Sequence, residues 1–171
     1  MQSDASGSPC SSGKQCYGGA ARRATEVKRI RDQKEHVLFL DAGDQSQGTP
    51  WYVVYEGDAA AHFMKSLHYD AMAMGNHEFD NGVDSFVDHF MHNLTNPETN
   101  ETEFPVLAAN IDASKEPRLN GLFNDTAIFE ETVPGVKIGV VGYITEETVD
   151  ISGECRFKCI FKAYLIQIRA I

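Results

Sequence analysis

The sequence specifies an α/β fold, a mainly parallel β-sheet layered with helices. Short apolar runs alternate with stretches of helical spacing, in the order strand, helix, strand, helix, strand. That order builds a parallel sheet covered by helices. Each early apolar run is too short for a helix and stops at Gly, Asp or Asn. Apolar residues make up 42% of the chain, enough to bury a core.

The elements follow in order. Residues 1–18 are rich in Ser and Gly and read as loop. From Ala20 to about His36, Ala20, Ala24, Val27 and Ile30 recur at helical steps. Arg22, Arg23, Lys28, Arg29, Arg31 and Lys34 surround them. These cations read as a solvated helix face, with a phosphate-binding patch as the sharper alternative. Val37 to Leu40 reads as a buried strand ending at Asp41-Ala42-Gly43-Asp44. Glu56 to Tyr69 is helical, with Ala60, Phe63, Met64 and Leu67 on one face. Ala71 to Met74 is a second strand, ending at Gly75-Asn76-His77. Val83, Phe86, Val87 and Phe90 mark a helix to about His92. Pro105 to Ala109 is a third strand, ending at Asn110. Ala127–Val133 and Lys137–Tyr143 are two more, joined by a turn at Pro134-Gly135. The last is nearly all apolar, which predicts burial on both faces.

A length of 171 residues suits one domain. The net charge of −10, from 15 cationic and 25 anionic residues, argues against a nucleic-acid partner. No apolar stretch is long enough to span a membrane. The polar residues after Met1 do not read as a signal peptide. Yet Cys10 and Cys16 flank a short loop that a disulfide would close in an oxidising compartment, two free thiols being the alternative. Asn93-Leu94-Thr95, Asn100-Glu101-Thr102 and Asn124-Asp125-Thr126 are glycosylation sequons in polar, turn-like surroundings. Together these features point to an extracellular protein, and the expectation is that its true N-terminus lies upstream.

Ligands in open α/β sheets sit beyond the carboxyl ends of the strands. Two of those tips carry metal-type donors: Asp41 and Asp44 on one, Asn76, His77, Glu78 and Asp80 on the other. Carboxylate, amide oxygen and imidazole together suit a divalent cation such as Zn²⁺ or Mn²⁺. Individually, each is as readily a cap or turn former. Gly43 to Gly48 has phosphate-loop spacing but is followed by Thr49-Pro50 instead of Lys-Ser/Thr. His77-Glu78 lacks a second His at i+4, and no Gly-x-Ser-x-Gly occurs.

Leu40-Asp-Ala-Gly-Asp-Gln-Ser-Gln-Gly48, Ala61-His-Phe-Met64 and Tyr69-Asp-Ala-Met-Ala-Met-Gly-Asn-His-Glu-Phe-Asp-Asn-Gly82 closely resemble the 5′-nucleotidase family. That family belongs to the calcineurin-like metallophosphatases and includes ecto-5′-nucleotidases, UDP-sugar hydrolases and some apyrases. Leu107-Ala-Ala-Asn-Ile111, Ile138-Gly-Val-Val-Gly-Tyr143, the Cys10/Cys16 pair and Gly18-Gly19-Ala-Ala-Arg22 are similar as well. The resemblance covers roughly residues 10–150. It implies a four-layer αββα domain, present here in part. Asp44 matches a carboxylate bridging two metals, and Asn76 an amide ligand of one. His77 matches the histidine that stabilises the phosphoryl transition state, and Asp80 the carboxylate that orients it. It further implies two divalent ions per complete site, zinc first, with Mn, Mg or Ca as alternatives. It implies a small-molecule nucleotide substrate, and it joins Cys10 to Cys16.

The departures are equally specific. No Asp-x-His metal motif precedes Cys10, and no His follows His92. The expectation is a partial metallophosphatase domain over 19–151, a divergent tail over 152–171 and no nucleoside-binding C-terminal domain. The tail, with Cys155 and Cys159, reads as a premature end or translated intron, a genuine short isoform being the alternative. As it stands the chain is expected to have little activity. Monophosphate and di- or triphosphate substrates are not separable from sequence, and neither is a non-catalytic binding protein built from the same domain. No oligomeric state is legible.

Overall fold

The computed structural model describes residues 10–48 and 50–152, together with the backbone of 160–161. The chain divides into two compact units, Met1–Val37 and Leu38–Ile171.

The first unit contains helix α1 (Ala20–Gln33), close to its sequence-predicted bounds. Val27 is its buried residue. Two of the helical cations pair along its surface, Lys28 with Asp32 at 2.7 Å and Arg29 with Glu26 at 2.6 Å. Such i,i+3 and i,i+4 pairs are what a solvated helix face produces. Cys10 and Cys16 are joined by a disulfide, with Cα atoms 5.7 Å apart.

The second unit is built on a three-stranded parallel sheet of β1 (Leu40–Asp41), β2 (Ala71–Ala73) and β3 (Val106–Leu107). Strand β2 is central, with Leu40 opposite Ala71 and Met72 opposite Val106. Central position explains its burial, since Ala71 and Met72 are each 1% exposed or less, as is Met74 just beyond the strand. Strand β1 is shorter than predicted, and Leu40 is 43% exposed rather than buried. As the edge of the described sheet, β1 has a neighbour only on the β2 side.

Helix α2 (Pro50–Tyr55) was not foreseen; it precedes α3 (Gly57–Leu67). Helix α3 buries Gly57, Ala61, Met64 and Leu67, an i, i+4, i+7 stripe. That rotates the predicted face: Phe63, expected inside, is exposed. Gly57 sets the rotation. A Cβ there would lie 2.6 Å from Phe90 Cβ, so the start of α3 packs directly on the following helical rod. Gly57→Ala is expected to cost about 1–3 kcal/mol through overpacking. Thermal melting by circular dichroism should then fall by roughly 3–10 °C for a chain of this size.

That rod comprises α4 (Gly82–Ser85), a π-helical stretch Phe86–Met91 and α5 (His92–Leu94). The wider turn shows in the His92 N–H, which donates to Val87 O five residues back. Phe86, Phe90, Met91 and Leu94 face the core. Phe79 packs at a tilt against Phe86, and Phe86 stacks on Phe90, with centroids 5.7 and 5.6 Å apart.

Strands β4 (Ile111–Asp112) and β7 (Ile160–Phe161) pair antiparallel. Cys155 and Cys159 lie outside the described residues. Strands β5 (Thr126–Val133) and β6 (Val136–Val141) form the predicted antiparallel hairpin. Its apolar content does not bring burial: Ile128, Val136 and Val141 are 62%, 44% and 41% exposed. Among the described residues β6 pairs only with β5, which leaves its other edge uncovered. The hairpin meets the sheet at its base, where Ala109 N–H donates to Gly142 O at 2.9 Å. A Cβ on Gly142 would lie 2.3 Å from Leu107 O, so only glycine permits that approach. A final short helix, α6 (Thr148–Ile151), ends beside the sheet tips.

Candidate active site

The site grows from two glycine turns at the ends of β1 and β2. Gly43 (φ 90°) and Asp44 (φ 61°) both take left-handed conformations after Asp41. A Cβ on Gly43 would lie 2.4 Å from Gly75 N, and one on Gly75 would lie 2.2 Å from Asp44 Oδ1. The two tips therefore touch backbone to backbone, and the Asp44 carboxylate lies over Gly75. The same carboxylate accepts the His77 N–H at 3.2 Å. Asp44, exposed, and Asn76, half-buried, thus occupy adjoining tips.

Beneath them lies Glu78, 2% exposed. Its Oε2 accepts from Asp44 N at 2.9 Å and Gly75 N at 2.6 Å. Its Oε1 accepts from Gln45 N at 2.7 Å and Ser46 N at 3.2 Å. One carboxylate thereby stitches the Asp44 and Gly75 turns together. Burial pushes the carboxyl up to about 7, against the opposing pull of these backbone donors.

The sequence motif placed Glu78 among the metal-type residues without a role. Its position on a short 3₁₀ turn, Asn76–Phe79, aims it inward. Asp41 is likewise taken up structurally. Its carboxylate accepts from Gly43 N at 2.9 Å, and both of its oxygens accept from Gln45 Nε2, at 3.1 and 3.0 Å. The third tip, Asn110, is 1% exposed, and its amide pairs both ways with the backbone of Ile144, at 2.8 and 3.0 Å. Those contacts make it a stitch between the turn after β3 and the segment after β6.

His77 Nδ1 lies 2.6 Å from Asp80 Oδ2. The i,i+3 spacing on one helical turn makes this contact. A carboxylate at this distance from Nδ1 favours the tautomer that carries its proton there. Tyr52 on α2 was missed by the sequence reading. Its phenol oxygen accepts from Asn81 Nδ2 at 3.1 Å, next to Asp80. Burial, then the carboxylates of Glu56, Asp80 and Glu78, push the phenol up. Pro50 was the available signal for α2, because proline favours the first helical position.

The donor chemistry fits a divalent cation in kind: an exposed carboxylate on Asp44 and an amide oxygen on Asn76. It falls short in number. Among the described residues no group of three or more His, Cys, Asp or Glu side chains is placed to hold a metal ion.

Residues 3–149 match the calcineurin-like phosphoesterase family model. The chain is 47% identical over 154 residues to 5′-nucleotidase of Bos taurus, covering 88% of this chain and 25% of that one. It is 46% identical over 143 residues to the snake venom 5′-nucleotidase of Naja atra, covering 82% and 25%. In three dimensions it is similar to the 5′-nucleotidase precursor of Thermus thermophilus, with a TM-score of 0.78 and 37% identity over 95% of this chain and 29% of that one. It is also similar to the NAD nucleotidase of Haemophilus influenzae, with a TM-score of 0.76 and 27% identity over 88% and 28%. The chain spans about a quarter of the length of the two 5′-nucleotidase relatives. A parallel sheet capped by interlocked Asp44 and Asn76 turns, carried on a sequence matched over residues 3–149, places this chain in the calcineurin-like phosphoesterase family, a metallophosphatase family that implies divalent metal ions.

Proposed function

We propose that this chain carries part of the catalytic centre of a 5′-nucleotidase-type phosphohydrolase that converts nucleoside 5′-monophosphates to nucleoside and phosphate. The observation that carries the reading is the pairing of His77 with Asp80 at 2.6 Å, beside the Asp44 and Asn76 turns. Asp44 supplies the shared anionic ligand and Asn76 a neutral one. Zinc is the first candidate, with Mn, Mg or Ca as alternatives. Bound divalent ions would supply charge neutralisation and an activated water. His77 Nε2 donates toward oxygen that gains negative charge, while Asp80 keeps the ring in register. Glu78 holds the turns at fixed separation.

Residues 19–151 form part of the phosphohydrolase domain in this reading, with the remaining ligands and nucleoside recognition contributed from elsewhere in the whole protein. The 171-residue chain alone is therefore expected to turn over AMP no faster than its His77→Ala variant. The Cys10–Cys16 disulfide and the sequons suit an extracellular or cell-surface site of action. Asn100 and Asn124 are exposed for glycosylation, as is Asn93, although the Asn93 amide also bonds Asp58 Oδ1 and His89 O, each at 2.9 Å.

The decisive experiment replaces the matching quarter of bovine 5′-nucleotidase with residues 10–152 of this chain. The chimera is expected to hydrolyse AMP. His77→Ala within it should lower kcat roughly 10²-fold or more with metal retained. A folded, metal-loaded chimera without AMP hydrolysis, or one indifferent to His77→Ala, would refute the assignment.

A further inference from the structure

Asn76 is held from a second side. The Ser152 hydroxyl, on a residue 4% exposed, donates to Asn76 O at 2.6 Å across 76 positions of chain. Ser152 closes a segment pinned at both ends. At its start, Ile144 is locked to Asn110 by a two-way amide pair. Between the pins, Thr148 is fully buried and donates its hydroxyl to Thr145 O at 2.6 Å. Residues 144–152 thus form a strap from the third strand tip to the second.

We propose that Ser152 is a positioning residue for the Asn76 ligand. The inference rests on the phosphohydrolase reading of the site. Glu78 fixes the Gly75 peptide by accepting its N–H, but it makes no bond to the Asn76 peptide oxygen. Ser152 supplies that missing restraint. With the N–H of His77 held by Asp44 and the carbonyl before it held by Ser152, the Asn76–His77 peptide plane is fixed at both polar atoms. The side chains on either side of this plane are the proposed metal ligand and the proposed phosphoryl-stabilising histidine. A small rotation of the plane swings both away from the Asp44 turn.

The test compares Ser152→Ala with Gly57→Ala in the full 171-residue chain. Gly57→Ala loosens the fold at a helix contact away from the tips. In metal-free protein, amide hydrogen exchange over residues 76–80 should rise about 5- to 10-fold in Ser152→Ala, matching the loss of one buried hydrogen bond. Gly57→Ala should leave exchange in that stretch near its starting value. In the bovine chimera, where the ligand set is complete, the Mn²⁺ concentration for half-maximal binding should rise by a similar factor in Ser152→Ala alone. Unchanged exchange in Ser152→Ala, or equal changes in both variants, overturns the positioning role. Metal content of the bovine chimera left unchanged by both Asp44→Asn and Asn76→Ala overturns the metal reading, and the ligand-positioning role with it.

Discussion

Glu78→Gln is expected to lower the melting temperature of this chain by roughly 5–15 °C. The carboxylate accepts four backbone N–H groups, two on each oxygen. An amide of the same shape has one oxygen and one NH₂. Whichever way it turns, two N–H donors face another donor. Stranding a buried donor costs about 1–3 kcal/mol, so the pair costs about 2–6 kcal/mol. Few other substitutions so small strand two donors at once. Circular dichroism melting of Glu78→Gln beside Glu98→Gln, which alters an exposed carboxylate, isolates the effect. Equal melting of the two would show that the four contacts do not hold the turns together.

Asp44→Asn is expected to abolish activity in the bovine chimera, by about 10³-fold or more, while leaving the fold intact. The substitution is unusually clean. Asp44 sits at φ 61°, a left-handed conformation that asparagine tolerates as well as aspartate does. The Asn side-chain oxygen still accepts the His77 N–H, so the turn keeps its cross-link. What is lost is the negative charge. Neighbouring divalent ions would need a shared anionic ligand to offset their repulsion. Metal content by plasma emission should fall toward zero as melting in the metal-free state stays within a few degrees. His77→Ala should give the opposite pattern, with metal retained and kcat reduced. If His77→Ala emptied the site while Asp44→Asn left it full, the roles would have to be exchanged.

The strand tips were legible because glycine and acidic residues following an apolar run have few other uses. The parallel order of β1, β2 and β3 followed from the helices between them. The Gly75-Asn76-His77 segment was recognisable from local residue types. Glu78 was not assignable, since three of its four donors come from residues 44 to 46, far away in sequence. Ser152 was hidden for the same reason, and it fell at the start of what composition marked as a foreign tail. The helical face of α3 was misjudged because Ala60 and Phe63 fit the period as well as Ala61 and Met64 do. Only the close packing of Gly57 on Phe90 separates the two rotations. The apolar run of β6 was over-read: valine and isoleucine signal an extended backbone, whereas burial depends on a covering layer.

Trp51 is the chain's single tryptophan, and it lies on α2, 54% exposed, its indole stacked on Tyr55 at 5.4 Å. All indole fluorescence of the protein therefore comes from one position, on the helix that carries Tyr52. Because that indole already meets water in the native state, its emission maximum lies well toward the red before any denaturant is added. Unfolding shifts it little further, so an emission-based melt would understate the transition. The same chromophore is suited to a different use: anything apolar that settles on α2 dries the indole and moves its emission to the blue, a readout that needs no added label.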